Sequence, residues 1–220
     1  MRRLVVPRIG FLHTADVHVA TFTSLLGVAD PGATGTHVVD DTLLADARRD
    51  GGVGDELRER ILRRLREAAA GNDAVLCTCS SVSGTAEALG ADVGVPVVRI
   101  DRPLARVAVA AGGIVAVVAA VESTLAPTRE LLLEEAALQK VRVTLIERPC
   151  PEAWRHFEAG DMEAYLDAIA QHVDAVADSA EVVVLAQASM AGAATRCRTS
   201  TPVLSSPVLG VEAVLAAASR

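Results

Sequence analysis

Cys79 is the side chain in this sequence best placed to do chemistry. It stands in AVLCTCSSVSG (residues 74–84), an apolar run that reaches a cysteine and then turns into small hydroxyl residues. Such a run predicts a strand that ends at the thiol and a helix that starts there. The helix macrodipole favours thiolate at that point, and a thiolate can act as a nucleophile or a general base. VVVLAQASMAG (residues 182–192) has the same outline, with Gln187 where the cysteine stood. An amide neither takes nor gives a proton in that role.

Cys79 and Gln187 lie 108 positions apart (187 − 79). The same shift lays Thr36 on Thr144, Gly52 on Gly160, Asp55 on Glu163, Asp73 on Glu181, Ser81 on Ser189 and Gly84 on Gly192, and IGFLH over VVAAV. Unrelated halves would align with drifting offsets, so a constant one predicts two similar lobes.

The elements that position these residues alternate. RIGFLHT, THVVD, DAVLCT and VPVVRI read as strands, with DELRERILRRLREAAA between the second and third as an amphipathic helix carrying Leu57, Ile61 and Leu65 on one face. GIVAVVAAV, VRVTLIE, the helix EAYLDAIAQHVDAVAD, EVVVLA and TPVLSS repeat that order. Strands that are apolar throughout and separated by helices imply α/β architecture, with parallel sheets flanked by helices. The expected division is residues 1–103 plus 203–220 as an N-terminal lobe and 104–202 as a C-terminal lobe, with the final segment packing back on the first.

In open parallel sheets, ligands bind outside the carboxyl ends of the strands. Two facing lobes would bring four segments to one cleft: HTADVH (13–18), CSSVSG (79–84), ESTLAPT (122–128) and QASMAG (187–192). None contains lysine or arginine. They offer hydroxyls (Thr14, Ser80, Ser81, Ser83, Ser123, Thr124, Thr128 and Ser189), backbone N–H groups and helix starts, which suit a small carboxylate. A single such hydroxyl reads equally as a helix cap; it is the convergence of the set that points to a ligand.

Composition narrows the partners. Aromatic residues make up 2% of the chain and the net charge is −7, which disfavours base stacking and phosphate backbones, so no nucleic-acid partner is expected. RERILRRLRE is a solvated helix face with charge pairs three and four residues apart. LARVAVAAGGIVAVVAAV (104–121) is split by Arg106 and the Gly112-Gly113 pair, and reads as a helix end, a turn and a buried strand, not a membrane span. The apolar run in MRRLVVPRIG is far too short for a signal peptide. Cys77, Cys79, Cys150 and Cys197 show neither CxxC pairing nor His/Cys metal spacing, so reduced thiols in a cytoplasmic protein are expected. Asp40 and Asp41 have Arg148 and Pro149 as repeat counterparts, which gives no paired carboxylates.

DAVLCTCSS resembles the first motif of the aspartate/glutamate racemase superfamily, a strand followed by Cys-Asn-Thr. VVVLAQAS is similar to its second, a strand followed by Gly-Cys-Thr. ESTLAPT resembles the turn that opens the second lobe, and TPVLSSP the closing strand. The resemblance covers essentially the whole chain. It implies a two-lobed enzyme that needs no metal and no cofactor, in which two cysteines face opposite sides of a substrate's α-carbon, one removing the proton and the other returning it. By position it implies Cys79 as the first thiol, with Ser80 and Ser81 in place of Asn-Thr, Ser123 and Thr124 in the interlobe turn and Ser189 in the second motif. Family members are often dimers or larger.

Gln187 departs from that pattern and leaves three readings. His13 could serve the second face, its imidazole titrating near neutrality, or it could be structural. The enzyme could be one-sided, as are the superfamily's malonate decarboxylases, which protonate a carbanion with one cysteine. Or the site could bind a small acid without turning it over. The leading expectation is a racemase or isomerase making or breaking a C–H bond next to a carboxylate or carbonyl.

Overall fold

A computed structural model describes residues 6–219. Residues 1–5, part of the stretch considered above as a leader, and Arg220 lie outside the described residues. The first eight elements are β1 (Arg8–His13), α1 (Val17–Ala29), β2 (Thr34–Val39), α2 (Thr42–Arg49), α3 (Asp55–Ala69), β3 (Ala74–Cys77), α4 (Ser80–Ala88) and β4 (Val97–Arg99). Then follow α5 (Arg102–Ala110), β5 (Gly113–Ala119), α6 (Leu125–Gln139), β6 (Val143–Pro149), α7 (Pro151–Glu158), α8 (Met162–Val176), β7 (Val182–Leu185), β8 (Val203–Ser205) and α9 (Ser206–Ala218).

The strands form two parallel four-stranded sheets, ordered β2-β1-β3-β4 and β6-β5-β7-β8. The sequence pattern explains who sits in the middle. β3 (AVLC) and β7 (VVVL) are buried at every position, as central parallel strands covered on both faces must be. β2 and β6 carry threonine, histidine and charge, and lie at edges. The stretch 104–121 is helix α5, a glycine turn and strand β5, and among the described residues no helix is long and apolar enough to cross a membrane.

In the first half, α3 buries Leu57, Ile61, Leu65 and Ala68 along one stripe against Leu12, Val75 and Cys77. Its acidic first turn (Asp55, Glu56) and Arg66 in its last turn suit the helix dipole. Gly10 lets α3 approach β1 closely: a Cβ there would lie 2.0 Å from the Ala68 carbonyl oxygen. In the second half, α8 starts at Asp161, whose side chain accepts the Ala164 N–H at 3.0 Å, and buries Tyr165, Ile169 and Val173 against β5 and β7.

Two compact units result, one running to Ile100 and resuming at Pro207, the other spanning Asp101–Ser206. The segment 203–220, expected on the first lobe as a whole, is divided. β8 pairs with β7 and completes the second sheet, because the free edge of β7 takes Val203–Ser205 as a parallel partner. α9 belongs to the first unit, where Gly210 packs on Ile100.

The internal repeat is present, but its offset drifts. The Thr78 N–H donates to the Leu12 carbonyl, and Ala186 N–H to that of Val118. That pairing keeps β3 and β7 at 108 (186 − 78) but sets β1 and β5 at 106 (118 − 12). Asp40 N–H donates to His13 and Cys150 N–H to Ala119, so β2 and β6 stand at 110 (150 − 40). The constant shift therefore holds only around Cys79 and Gln187. Thr36 matches Ile146 by register, not Thr144, and Asp40 matches Cys150, not Arg148. Loops of unequal length between the strands absorb the difference.

Candidate active site

Cys79 follows β3 and is the N-cap of α4, in extended conformation (φ −105°, ψ 112°) and 8% exposed. Its carbonyl accepts the N–H groups of Val82 and Ser83 at 3.2 and 2.9 Å. Ser80 is buried and Ser81 half-buried in the first turn of α4. Ser83 Oγ donates to the Ser80 carbonyl at 3.3 Å, so that hydroxyl serves the helix itself. Thr14, just past β1, is buried at the carboxyl end of the neighbouring strand. Cys77 is fully buried within β3.

His13 ends β1 with no exposure, and both its ring nitrogens are engaged. His13 Nδ1 shares a hydrogen bond with Thr78 Oγ1 (2.8 Å), whose hydroxyl also lies 3.1 Å from the Leu12 carbonyl. His13 Nε2 shares one with His37 Nδ1 (2.8 Å), and His37 Nε2 one with the Thr23 hydroxyl (3.0 Å). The rings of Phe11 and His37 stack at 4.8 Å, those of His13 and His37 at 5.1 Å. The imidazole expected to titrate near neutrality is instead pushed down to about 3, chiefly by burial and then by the neighbouring His37 and His18. His13 is therefore neutral at physiological pH.

In the second unit, Gln187 follows β7 in the same extended conformation (φ −123°, ψ 139°), heading a 3-10 turn over Ala188–Thr195. Its Oε1 accepts the N–H groups of Ala120 (2.6 Å) and Val121 (3.1 Å) at the end of β5. The side-chain carbonyl is thus occupied by two backbone donors. Ser189 Oγ bonds the hydroxyl of Tyr165 at 2.8 Å, and burial raises that phenol. Ser123 Oγ and Thr128 Oγ1, after β5, and Ser206 Oγ, after β8, are enclosed with no hydrogen-bond partner. Thr124 is buried beside them.

Buried hydroxyls are ordinarily satisfied, so each of these three, Ser123 and Ser206 near strand ends and Thr128 in the first turn of α6, is free to bond a ligand or water. Ser123 and Thr128 were legible as strand-end hydroxyls. Ser206 obeys the same rule after β8 but was overlooked. Tyr165 and His37 were also missed, because each lies within an element and carries no strand-end signal, and Thr78, which directly follows β3, read as the last residue of the strand DAVLCT.

An α/β chain of two parallel sheets with a thiol capping the helix after β3 defines a class, and comparison with known proteins places it. The family model described as Asp/Glu/Hydantoin racemase matches residues 16–214, and the chain belongs to that family. No curated protein sequence matches it. Solved structures share the fold. Aspartate racemase from Picrophilus torridus superimposes with a TM-score of 0.74 at 11% identity, over 97% of this chain and 94% of that one. Glutamate racemase from Thermus thermophilus gives 0.63 at 19% identity, over 96% and 80%. Allantoin racemase from Klebsiella pneumoniae gives 0.62 at 19%, over 96% and 86%.

Proposed function

We propose that this protein is a cofactor-independent enzyme of the racemase or isomerase type, in which Cys79 makes or breaks a C–H bond next to the carboxylate or carbonyl of a small acid. The observation that carries the reading is the position of Cys79 as the N-cap of α4 at the carboxyl end of the central strand β3. The helix start favours negative charge there, and the adjacent N–H groups and hydroxyls can hold a carboxylate.

The Cys79 thiolate takes the α-proton, and the charge left on carbon delocalises into the carboxylate. Thr14, Ser80 and Ser81, on the unit that carries Cys79, are the donors assigned to that carboxylate. Water protonates the opposite face of the planar intermediate, which inverts the carbon, and Cys79–SH gives its proton to the hydroxide left behind. His13, neutral and bonded at both nitrogens, acts in this reading as a positioning group for the strand end beside Thr78.

A second reading is favoured by the pinned carbonyl of Gln187. With no thiol at that position, a one-sided reaction suffices: a malonate-like acid loses carbon dioxide, and Cys79–SH protonates the resulting carbanion on one face. Water then restores the thiol proton.

Proton NMR in D₂O tests both readings, using aspartate, glutamate, hydantoins, maleate and substituted malonates with wild type and Cys79→Ala. Loss of an α-proton signal that requires Cys79 supports the first reading, and chiral analysis of the product shows whether the configuration changes. Cys79-dependent release of carbon dioxide supports the second. Saturable binding of a compound to both proteins without turnover would replace both readings with a small-acid-binding protein.

A further inference from the structure

We propose that Cys150, Glu152 and His172 form a binding site for a divalent transition-metal ion, with zinc the best match. One potential ligand atom from each residue lies within 4.8 Å of the others. Thiolate, imidazole and carboxylate together are a donor set typical of zinc.

The fold brings the three together from one strand end and two helices. Cys150 caps the end of β6, is 1% exposed, and is fixed by its N–H bond to the Ala119 carbonyl at 2.8 Å. Glu152 stands two residues later in the first turn of α7. His172 comes from α8, which packs along α7. Metal–ligand bonds of about 2.0–2.3 Å would put tetrahedral ligands roughly 3.5 Å apart. Cys150 Sγ and Glu152 Oε1 already meet that spacing at 3.3 Å, and closing on His172 from within 4.8 Å needs a shift of about an ångström.

Two further observations point to an occupant. His172 Nε2 is enclosed with no hydrogen-bond partner. A buried imidazole nitrogen left unpaired is costly, and a metal ion would satisfy the ring. The Cys150 thiol donates to Glu152 Oε1 at 3.3 Å, so its proton lies between the two atoms that would share the metal. Binding replaces that proton: the thiol loses H⁺ to solvent as the S–metal bond forms, with no change of oxidation state. Three protein ligands leave the fourth tetrahedral position open to water.

The test uses the full-length protein without an affinity tag, stripped with a chelator and kept reduced. Zinc is titrated calorimetrically in buffers of different ionisation enthalpy, and cobalt(II) serves as the spectroscopic probe. The expected result is one equivalent of zinc with release of a proton, and a cobalt spectrum showing thiolate-to-metal charge transfer with tetrahedral d–d bands. Cys150→Ser should abolish the charge-transfer band, and His172→Gln and Glu152→Gln should each weaken zinc binding about tenfold or more. Absence of saturable binding overturns the proposal, as does an affinity unchanged in all three variants, which would place the metal on another thiol. If Cys150→Ser does not fold, Glu152→Gln on the surface of α7 decides, and unaltered zinc affinity there rejects the site. None of these readouts depends on turnover.

Discussion

The side-chain carbonyl of Gln187 accepts the backbone N–H of Ala120 at 2.6 Å and that of Val121 at 3.1 Å. The residue that stands where a second thiol was expected therefore serves its own sheet, satisfying two buried donors where β5 ends. Replacing it with leucine should leave both N–H groups unpaired, at a cost of about 1–3 kcal/mol. Gln187→Glu retains the acceptor and should keep most of the stability. Urea unfolding of the two variants checks this, and equal losses would show that these bonds contribute little.

Much of this architecture was legible because apolar runs and helix periodicity report directly on burial. DAVLCT and EVVVLA read as buried strands of a parallel sheet, and DELRERILRRLREAAA carries its buried stripe openly. The repeat was visible where β3 and β7 deliver Cys79 and Gln187, since those segments have the same lengths and turn residues. It misled at β1 and β2, where a shift of two positions either way leaves the apolar pattern intact and only the hydrogen-bond register shows the difference. The bonds of His13 were not legible: His37 lies on a neighbouring strand and Thr78 inside the next motif, and neither spacing signals contact. Cys150 and His172 were opaque for the same reason, since helix packing across twenty-two positions brings them together.

The chain of hydrogen bonds through His13 sets a pH dependence. Its pKa falls from 6.5 in the unfolded chain to about 3 in the folded protein, through burial first and then through His37 and His18. A depressed folded pKa means the unfolded state binds more protons below 6.5. Stability is therefore complete above that pH and is lost as pH falls from 6.5 towards 3. The slope from His13 is up to about 1.4 kcal/mol per pH unit. His18 and His37 are lowered by burial too and act with the same sign. Carboxylates contribute little above about pH 5, so urea midpoints between pH 7 and about pH 5 isolate the histidines. His13→Gln should be less stable at neutrality yet decline less over this range. Parallel declines in wild type and variant would assign the slope to other groups.

Glu135 is 2% exposed and accepts from Arg102 Nη1 at 2.7 Å and Arg106 Nε at 3.2 Å. The side chain of Arg102 is 16% exposed and that of Arg106 60%, so the two pairs are unequal. Glu135→Gln removes the charge from both and should cost about 1–3 kcal/mol. Arg106→Ala, breaking only the solvent-screened pair, should cost less than about 1 kcal/mol. Chemical denaturation of the two variants gives the ratio, and equal effects would mean that the shielded Arg102 pair adds nothing of its own.

Two glycines should respond to alanine with opposite signs. At Gly10, the new Cβ would meet the Ala68 carbonyl oxygen at 2.0 Å, and backbone cannot swing aside as a side chain can. α3 would have to lift from β1, exposing the stripe of Leu57, Ile61 and Leu65, so Gly10→Ala should cost more than about 3 kcal/mol. Gly27 lies within α1, where a Cβ would meet nothing within 4 Å. There alanine only improves helix propensity, and Gly27→Ala should stabilise by about 0.5–1 kcal/mol. Thermal unfolding read in parallel should move the two midpoints apart. A Gly10→Ala protein as stable as wild type would mean that β1 and α3 can part without loss, and the close approach would then not hold the first sheet to its helix.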